Sequence, residues 1–382
     1  MLLLAGALSL TLASASWADV RDQARRMHDR LIGAPPDDAT LQAMQDRIQA
    51  GQPIQAAYRA MENPLFYSST LKNFVTPWTN EAETVFAPLN DYTATAIGMI
   101  RDEVPFDRVL SADMVYIGAP GVVERPYSHD DNRHYQELEE SGADLSDPGV
   151  LMAVSQSGLP GSQLPSAATA GVMTTRAAGV AFFRAGTNRR MLRATVLNYL
   201  CTDLEGLKDT TRSTDRIRQD VSRSPGGDSS IFLNNCSGCH TGMDPLAQAF
   251  AYFEYDQDAE RVVYTPGEVQ AKYFNNAGTF PFGFVTPDDS WSNYWRHGPN
   301  AAIGWGSGSG EGSGPKSLGR EIAGSRAFAV CQVQKVFSQV CLRPVGSQED
   351  RDEVERIADV FETGGRSMKR VFGEVATHCM GN

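Results

Sequence analysis

Two cysteines three positions apart, followed at once by a histidine, stand at Cys236, Cys239 and His240. Ser237 and Gly238 between them are small, so the chain can turn tightly and present two thiols and an imidazole on one side. That spacing lets two thiols add across the vinyl groups of a haem while the next residue binds the iron from the proximal side. With only six Cys and six His in 382 residues, a chance match is rare. A zinc ribbon would need a second CxxC or an HxxxH, and the chain has neither. A thioredoxin-like redox pair would need a βαβ pattern around it, and none surrounds this one. A pair of buried structural cysteines is the remaining alternative. The motif therefore predicts one covalent haem c, held by Cys236 and Cys239 with His240 as the proximal iron ligand.

The sixth iron position divides a carrier from an enzyme. Met243 is one candidate, because His/Met ligation suits electron transfer. Its distance along the chain argues against it: three residues after His240 reach roughly 10 Å even when extended, and the chain would have to pass around the porphyrin edge. His297, in an aromatic loop far along the chain, is the second candidate, and Met173 the third. An iron left open or water-bound is the alternative. His28, His129, His134 and His378 stand among polar residues and read as surface histidines. Arg189, Arg190 and Arg193 suit haem propionates or an ordinary salt-bridged helix face. Tyr252, Phe253 and Tyr255 read as haem-pocket packing or plain core.

The rest of the chain bears on where such a haem would be attached. Residues 1–18 read as a signal peptide, with an apolar core at Leu2 to Leu12 and small Ser16 and Ala18 before Asp19. No Lys or Arg precedes that core, which departs from the usual pattern. No later segment is apolar for long enough to cross a bilayer, so the mature chain is expected to be periplasmic or secreted, without a membrane span. A net charge of -12 argues against a nucleic-acid partner, which requires a basic stripe. The partner expected is an unidentified redox protein. In an oxidising compartment, Cys201, Cys331, Cys341 and Cys379 are expected to pair, with three connectivities open. If Cys331 and Cys341 share one helix, their Cα atoms are roughly 15 Å apart, about twice the bridging limit. Their mutual pairing would need a break between them.

Apolar periodicity predicts a mainly α, multi-helix protein with a cytochrome-c-like haem segment and irregular loops. The division expected is an N-terminal helical module (19–187), a haem module (188–303), a Gly/Ser-rich loop (304–314) and a C-terminal helical module (315–382). Asp37 and Asp38 after Pro35-Pro36 mark a helix start, and Pro105 stops a helix over 91–103. Residues 118–171 read as loop with short helices, and 188–201 as a helix leading to the motif. Asp228 caps a short helix through 235 that delivers Cys236. Asp244-Pro245 reads as a fresh helix start, continued by an apolar and aromatic helix over 246–255. Further helices are expected over 318–340, 348–363 and 367–377.

The run from Cys236 to Ala247 (CSGCHTGMDPLA), with Ala249-Phe250 and Phe253 to Asp256 after it, resembles the haem module of planctomycete-type cytochrome c proteins. In that family CxxCH precedes a Met/Ile-Asp-Pro turn and a helix with an aromatic-acidic pair. Residues 100–112 resemble the family's N-terminal helical module. Residues 325–332, with Lys335-Val336-Phe337, resemble its C-terminal module. Cys341 stands where the family has a small residue, and Leu342-Arg343-Pro344 keeps only the Arg of its usual Gly-Arg ending. The resemblance implies a c-type cytochrome, and the Met/Ile alternation at position 243 implies that this side chain is not an obligatory ligand. The expected function is single-electron transfer. A peroxidase- or oxygenase-type enzyme with an open distal iron is the alternative, and an assembly role the third reading.

Overall fold

The computed structural model describes residues 19–184 and 186–381, so the signal-peptide reading of residues 1–18 lies outside the described residues. It is 54% helical and 7% strand, mainly α as expected. No described helix is long and apolar enough to cross a membrane.

Five helices open the chain: α1 (Val20–Ile32), α2 (Asp38–Gln49), α3 (Pro53–Ala60), α4 (Lys72–Val75) and α5 (Asp91–Arg101). Side-chain caps set the starts of α1, α2 and α5. Asp19 accepts from Asp22 N–H, Asp37 from Thr40 N–H, and Asn90 from Thr93 N–H. The loop-rich stretch that follows holds β1 (Val115–Gly118) and β2 (Leu151–Val154), an antiparallel pair, with α6 (Arg133–Glu140) between them.

Next come α7 (Arg176–Phe182), α8 (Arg189–Leu200), the single turn α9 (Ser229–Ile231) and α10 (Ser237–Ala247). Asp228 caps α9, and a π-helical turn, Phe232–Cys236, joins it to α10. Here two sequence expectations are corrected. Asp244 and Pro245 do not start a helix; they lie in the last turn of α10. The Asp244 carboxylate is taken by the Arg189 side chain and the Arg218 N–H from other segments and by the His240 ring one turn back, so it caps no backbone N–H of its own helix. Pro245 sits inside α10 and removes the N–H that would bond the Thr241 carbonyl, so the helix runs through it to Ala247 one backbone hydrogen bond short. Nor does a helix run to Tyr255. After a 3-10 turn, Gln248–Phe250, the chain becomes β3 (Phe253–Asp256), paired antiparallel with β4 (Arg261–Tyr264). Phe253 and Tyr255 face inward while Glu254 and Asp256 are half-buried, which is the period-2 pattern of a strand.

The segment 304–314, expected as a flexible loop, is tied down. Glu311–Ser313 forms β6 against β5 (Ser290–Ser292), and Arg296 donates to the Gly306 carbonyl at 2.9 Å. The expected helix over 318–340 is two, α11 (Gly314–Ala323) and α12 (Arg326–Cys341), broken at Gly324-Ser325, where Ser325 caps α12. Then follow α13 (Gln348–Thr363), opened by a Ser347/Asp350 capping box, and α14 (Met368–Cys379). One hydrophobic cluster joins α1 (Met27), α5 (Ile97), α8 (Val196), α10 (Leu246), α12 (Phe337) and α14 (Phe372).

Two disulfides lock this core. Cys201 at the end of α8 bonds Cys331 in α12, with Cα atoms 5.3 Å apart. Cys341 at the end of α12 bonds Cys379 at the end of α14, at 5.5 Å. Cys331 and Cys341 do share one continuous helix, so each pairs with a different element.

Candidate functional site

Helix α10 turns Cys236, Cys239 and His240 outward together. At about 100° per residue the three fall within an arc of about 100° on the helix surface. All three are half-buried, and both thiols are free. Cys236 packs against a small cluster of Ile217, Val221 and Phe232, and Cys239 Sγ donates to the Leu204 carbonyl at 3.6 Å. Burial raises the Cys239 thiol above its ordinary value, with Lys208 opposing. On the approach to Cys236, Ile231 and Leu233 stand 39% and 56% exposed, two aliphatic side chains in water beside the motif.

The opposite flank of α10 carries glycines. A Cβ at Gly242 would sit 1.9 Å from Trp295 Nε1, so only glycine admits the buried indole there. Along Gly238 runs the segment 204–209: Asp209 N–H donates to the Gly238 carbonyl at 2.9 Å, and Thr241 Oγ1 donates to the Asp209 carbonyl at 3.0 Å. The helix is thus fixed from behind, with its thiols and imidazole in front.

The imidazole is oriented by its own helix. His240 Nδ1 lies 3.1 Å from Asp244 Oδ1, four residues on. Asp244 is buried and held from several sides. Arg189, at the start of α8, donates Nε–H to Oδ1 at 2.7 Å and Nη2–H to Oδ2 at 2.9 Å, while Arg218 N–H donates to Oδ2 at 3.1 Å. Burial would raise this carboxyl, but the Arg189 guanidinium, with His240 and Arg218, outweighs it and holds Asp244 well below the usual carboxylate range. Arg189 also grips Asp220 at 2.6 and 2.9 Å. The fully buried Arg218 guanidinium donates to the Thr187 and Asp244 carbonyls at 3.1 and 3.0 Å and lies 4.6 Å over the Tyr273 ring. Burial lowers its pKa, with Asp244 acting against that.

The residues considered for the sixth iron position lie elsewhere. Met243 sits one turn beyond His240 on the same unbroken helix and is buried in the core. A side chain on the proximal helix cannot reach the far face of a porphyrin bound through His240, so Met243 is withdrawn as a distal ligand. His297 is exposed, and its neighbour Gly298 packs on Asp209 and Arg212. Met173 is buried in a 3-10 turn, Gly171–Thr174, that packs on α5, α7 and residues 106–110.

Arg190 pairs with Glu81 and Arg193 with Asp203, so all three arginines of α8 are matched to carboxylates. Phe253 and Tyr255 belong to the core. His28 and His134 are not surface residues. His28 Nδ1 pairs with the Ala34 carbonyl, and His134 accepts from Gly118 N–H at 2.9 Å while its Nδ1 pairs with the Arg125 carbonyl. The Asp244–Arg189–Arg218 cluster was not foreseen; its members are far apart in sequence and only the fold unites them.

The residues present fit a haem c. Two unpaired thiols and an imidazole share one face, the imidazole's Nδ1 is occupied by a carboxylate, and its Nε2 is left for iron. Among the described residues no three His, Cys, Asp or Glu side chains converge as a cage of protein ligands alone. A porphyrin supplies four nitrogens itself, so one imidazole is all that the proximal side requires. No protein-family model, curated protein or solved structure matches this chain.

Proposed function

We propose that this chain is an exported c-type cytochrome of the planctomycete type, with one covalent haem at Cys236, Cys239 and His240 used for single-electron transfer. One observation carries the reading. Of six cysteines, the four outside the motif are closed into two disulfides, while Cys236 and Cys239 stay free beside an imidazole whose Nδ1 is already engaged. When bound, the haem supplies an iron that alternates between ferrous and ferric states. The protein's part is to attach the porphyrin through two thiols, to aim Nε2 of His240 and to keep that ring from turning. The two disulfides support an oxidising compartment, the kind in which an exported chain is found. The partner proposed is a second redox protein, not a nucleic acid.

A haem enzyme is the second reading, and it too has an observation behind it. Met243 shares the helix of His240, His297 is exposed, and Met173 is buried in a turn packed on α5 and α7, which favours an iron left open on its far side. The discriminating experiment is an optical spectrum of haem-loaded protein, ferric and ferrous, with and without carbon monoxide. Sharp ferrous bands indifferent to carbon monoxide, with a reversible one-electron midpoint, support the carrier. Rapid carbon monoxide binding and reaction with peroxide overturn it in favour of the enzyme.

A further inference from the structure

We propose that Asp244 is a positioning residue for the iron ligand: it loads negative charge onto the His240 imidazole and so biases the bound haem toward its ferric state. The proposal rests on the reading of Cys236, Cys239 and His240 as a haem site. A histidine that binds a metal through one nitrogen donates the other ring N–H to an outer partner, and that partner sets both ring orientation and basicity. A neutral carbonyl acceptor does this weakly. A carboxylate draws the N–H proton toward itself, leaves more electron density on the ring, and favours the more positive iron.

Three features of the structure make Asp244 such a partner. Its distance to His240 Nδ1, 3.1 Å across one helical turn, is set by the i, i+4 geometry of α10. Its carboxylate cannot rotate away, because Oδ1 and Oδ2 are each also held by Arg189, and Oδ2 by Arg218 N–H besides. The charges around it balance, Arg189 and Arg218 against Asp220 and Asp244, so the carboxylate is not forced to take up a proton in the interior. A simple tie between α8 and α10 would need Arg189 and Asp244 alone. The bond to His240 adds a contact that such a tie does not require.

The test compares two variants of the haem-loaded full chain. Asp244→Asn keeps an acceptor but removes the charge that faces His240. Asp220→Asn removes a charge from the same Arg189 clamp without touching His240. Covalent haem is counted first, by its pyridine haemochrome. Expected is full haem content in both. The ferrous-to-ferric ratio at fixed ambient potential should rise at least tenfold in Asp244→Asn, about 59 mV for one electron, and several times less in Asp220→Asn. Equal shifts in the two variants, or none, would overturn the proposal and reduce Asp244 to a structural tie. Should Asp244→Asn fail to fold, the wild-type protein decides. In its diamagnetic ferrous form, with carbon monoxide added if the iron is open, the His240 Nδ1 nitrogen resonance should lie downfield, on the imidazolate side, of that of a histidine bonded to a backbone carbonyl. A resonance at the carbonyl-bonded position overturns the proposal. Absence of any haemochrome in the wild type strikes instead at the haem site itself, and the proposal goes down with it.

Discussion

The six cysteines meet two fates, and the helices that carry them explain why. On α12, Cys331 and Cys341 are buried where it packs against α8 and α14, and each closes onto a cysteine at the end of its neighbour. On α10, Cys239 and its predecessor Cys236 point away from the packing surface, because Gly238 and Gly242 on the other flank admit Asp209 and Trp295 closely. Cysteines in a contact between helices become structure. Cysteines on an outward stripe beside an anchored imidazole stay available for a ligand.

The comparison breaks most sharply at the outward stripe. Cys236→Ala with Cys239→Ala should abolish covalent haem completely, read as haem staining of a denaturing gel. Both side chains are half-exposed and make no disulfide, so the haem-free variant should keep wild-type helicity and lie within about 0.5 kcal/mol of haem-free wild type in urea unfolding. Haem surviving denaturation in this variant would remove the attachment site.

The inward cysteines should behave oppositely. Each disulfide restricts the unfolded chain, and the restriction grows with the loop closed, 130 residues for Cys201–Cys331 and 38 for Cys341–Cys379. Chain entropy puts their removal by paired alanines at about 5 and about 4 kcal/mol. Urea midpoints under non-reducing conditions would measure both. Haem per folded molecule should stay unchanged. A disulfide variant that remains folded yet loses its haem would show that the two regions are not independent.

How far these regions were legible in sequence follows from how local their signals are. The cap at Asp37 and the stop at Pro105 act within one turn, and the helices they bound lie close to where they were expected. The motif itself was legible for the same reason. Asp244-Pro245 misled because it carries every local sign of a helix start, while its carboxylate answers to Arg189 and Arg218 from distant segments. The strand at Phe253 was hidden in an apolar run, because its partner strand Arg261–Tyr264 lies beyond a turn and pairs through the backbone. β6 consists of Glu311, Gly312 and Ser313, residues of poor strand propensity held in place by β5. For the disulfides, continuity of one helix excludes Cys331–Cys341, but only tertiary packing chooses between the two pairings left.

The finest separation between the two classes of cysteine is chemical reactivity in the haem-free protein. Without reductant, iodoacetamide should modify two of the six cysteines, and mass spectrometry should place both labels on the peptide containing the motif. The thiolate is the reacting form, so a thiol whose pKa is raised carries less of it at any given pH and reacts more slowly. Burial raises Cys239, and the nearby Lys208 ammonium only partly offsets this. The pH profile of its alkylation should therefore have a midpoint above the roughly 8.5 of an unperturbed cysteine. A midpoint at or below that value would mean that Cys239 is more exposed, or nearer a cation, than its contact with the Leu204 carbonyl implies. Labelling at Cys201, Cys331, Cys341 or Cys379 without reductant would mean that the inward cysteines are not locked, and the division between the two regions would fall.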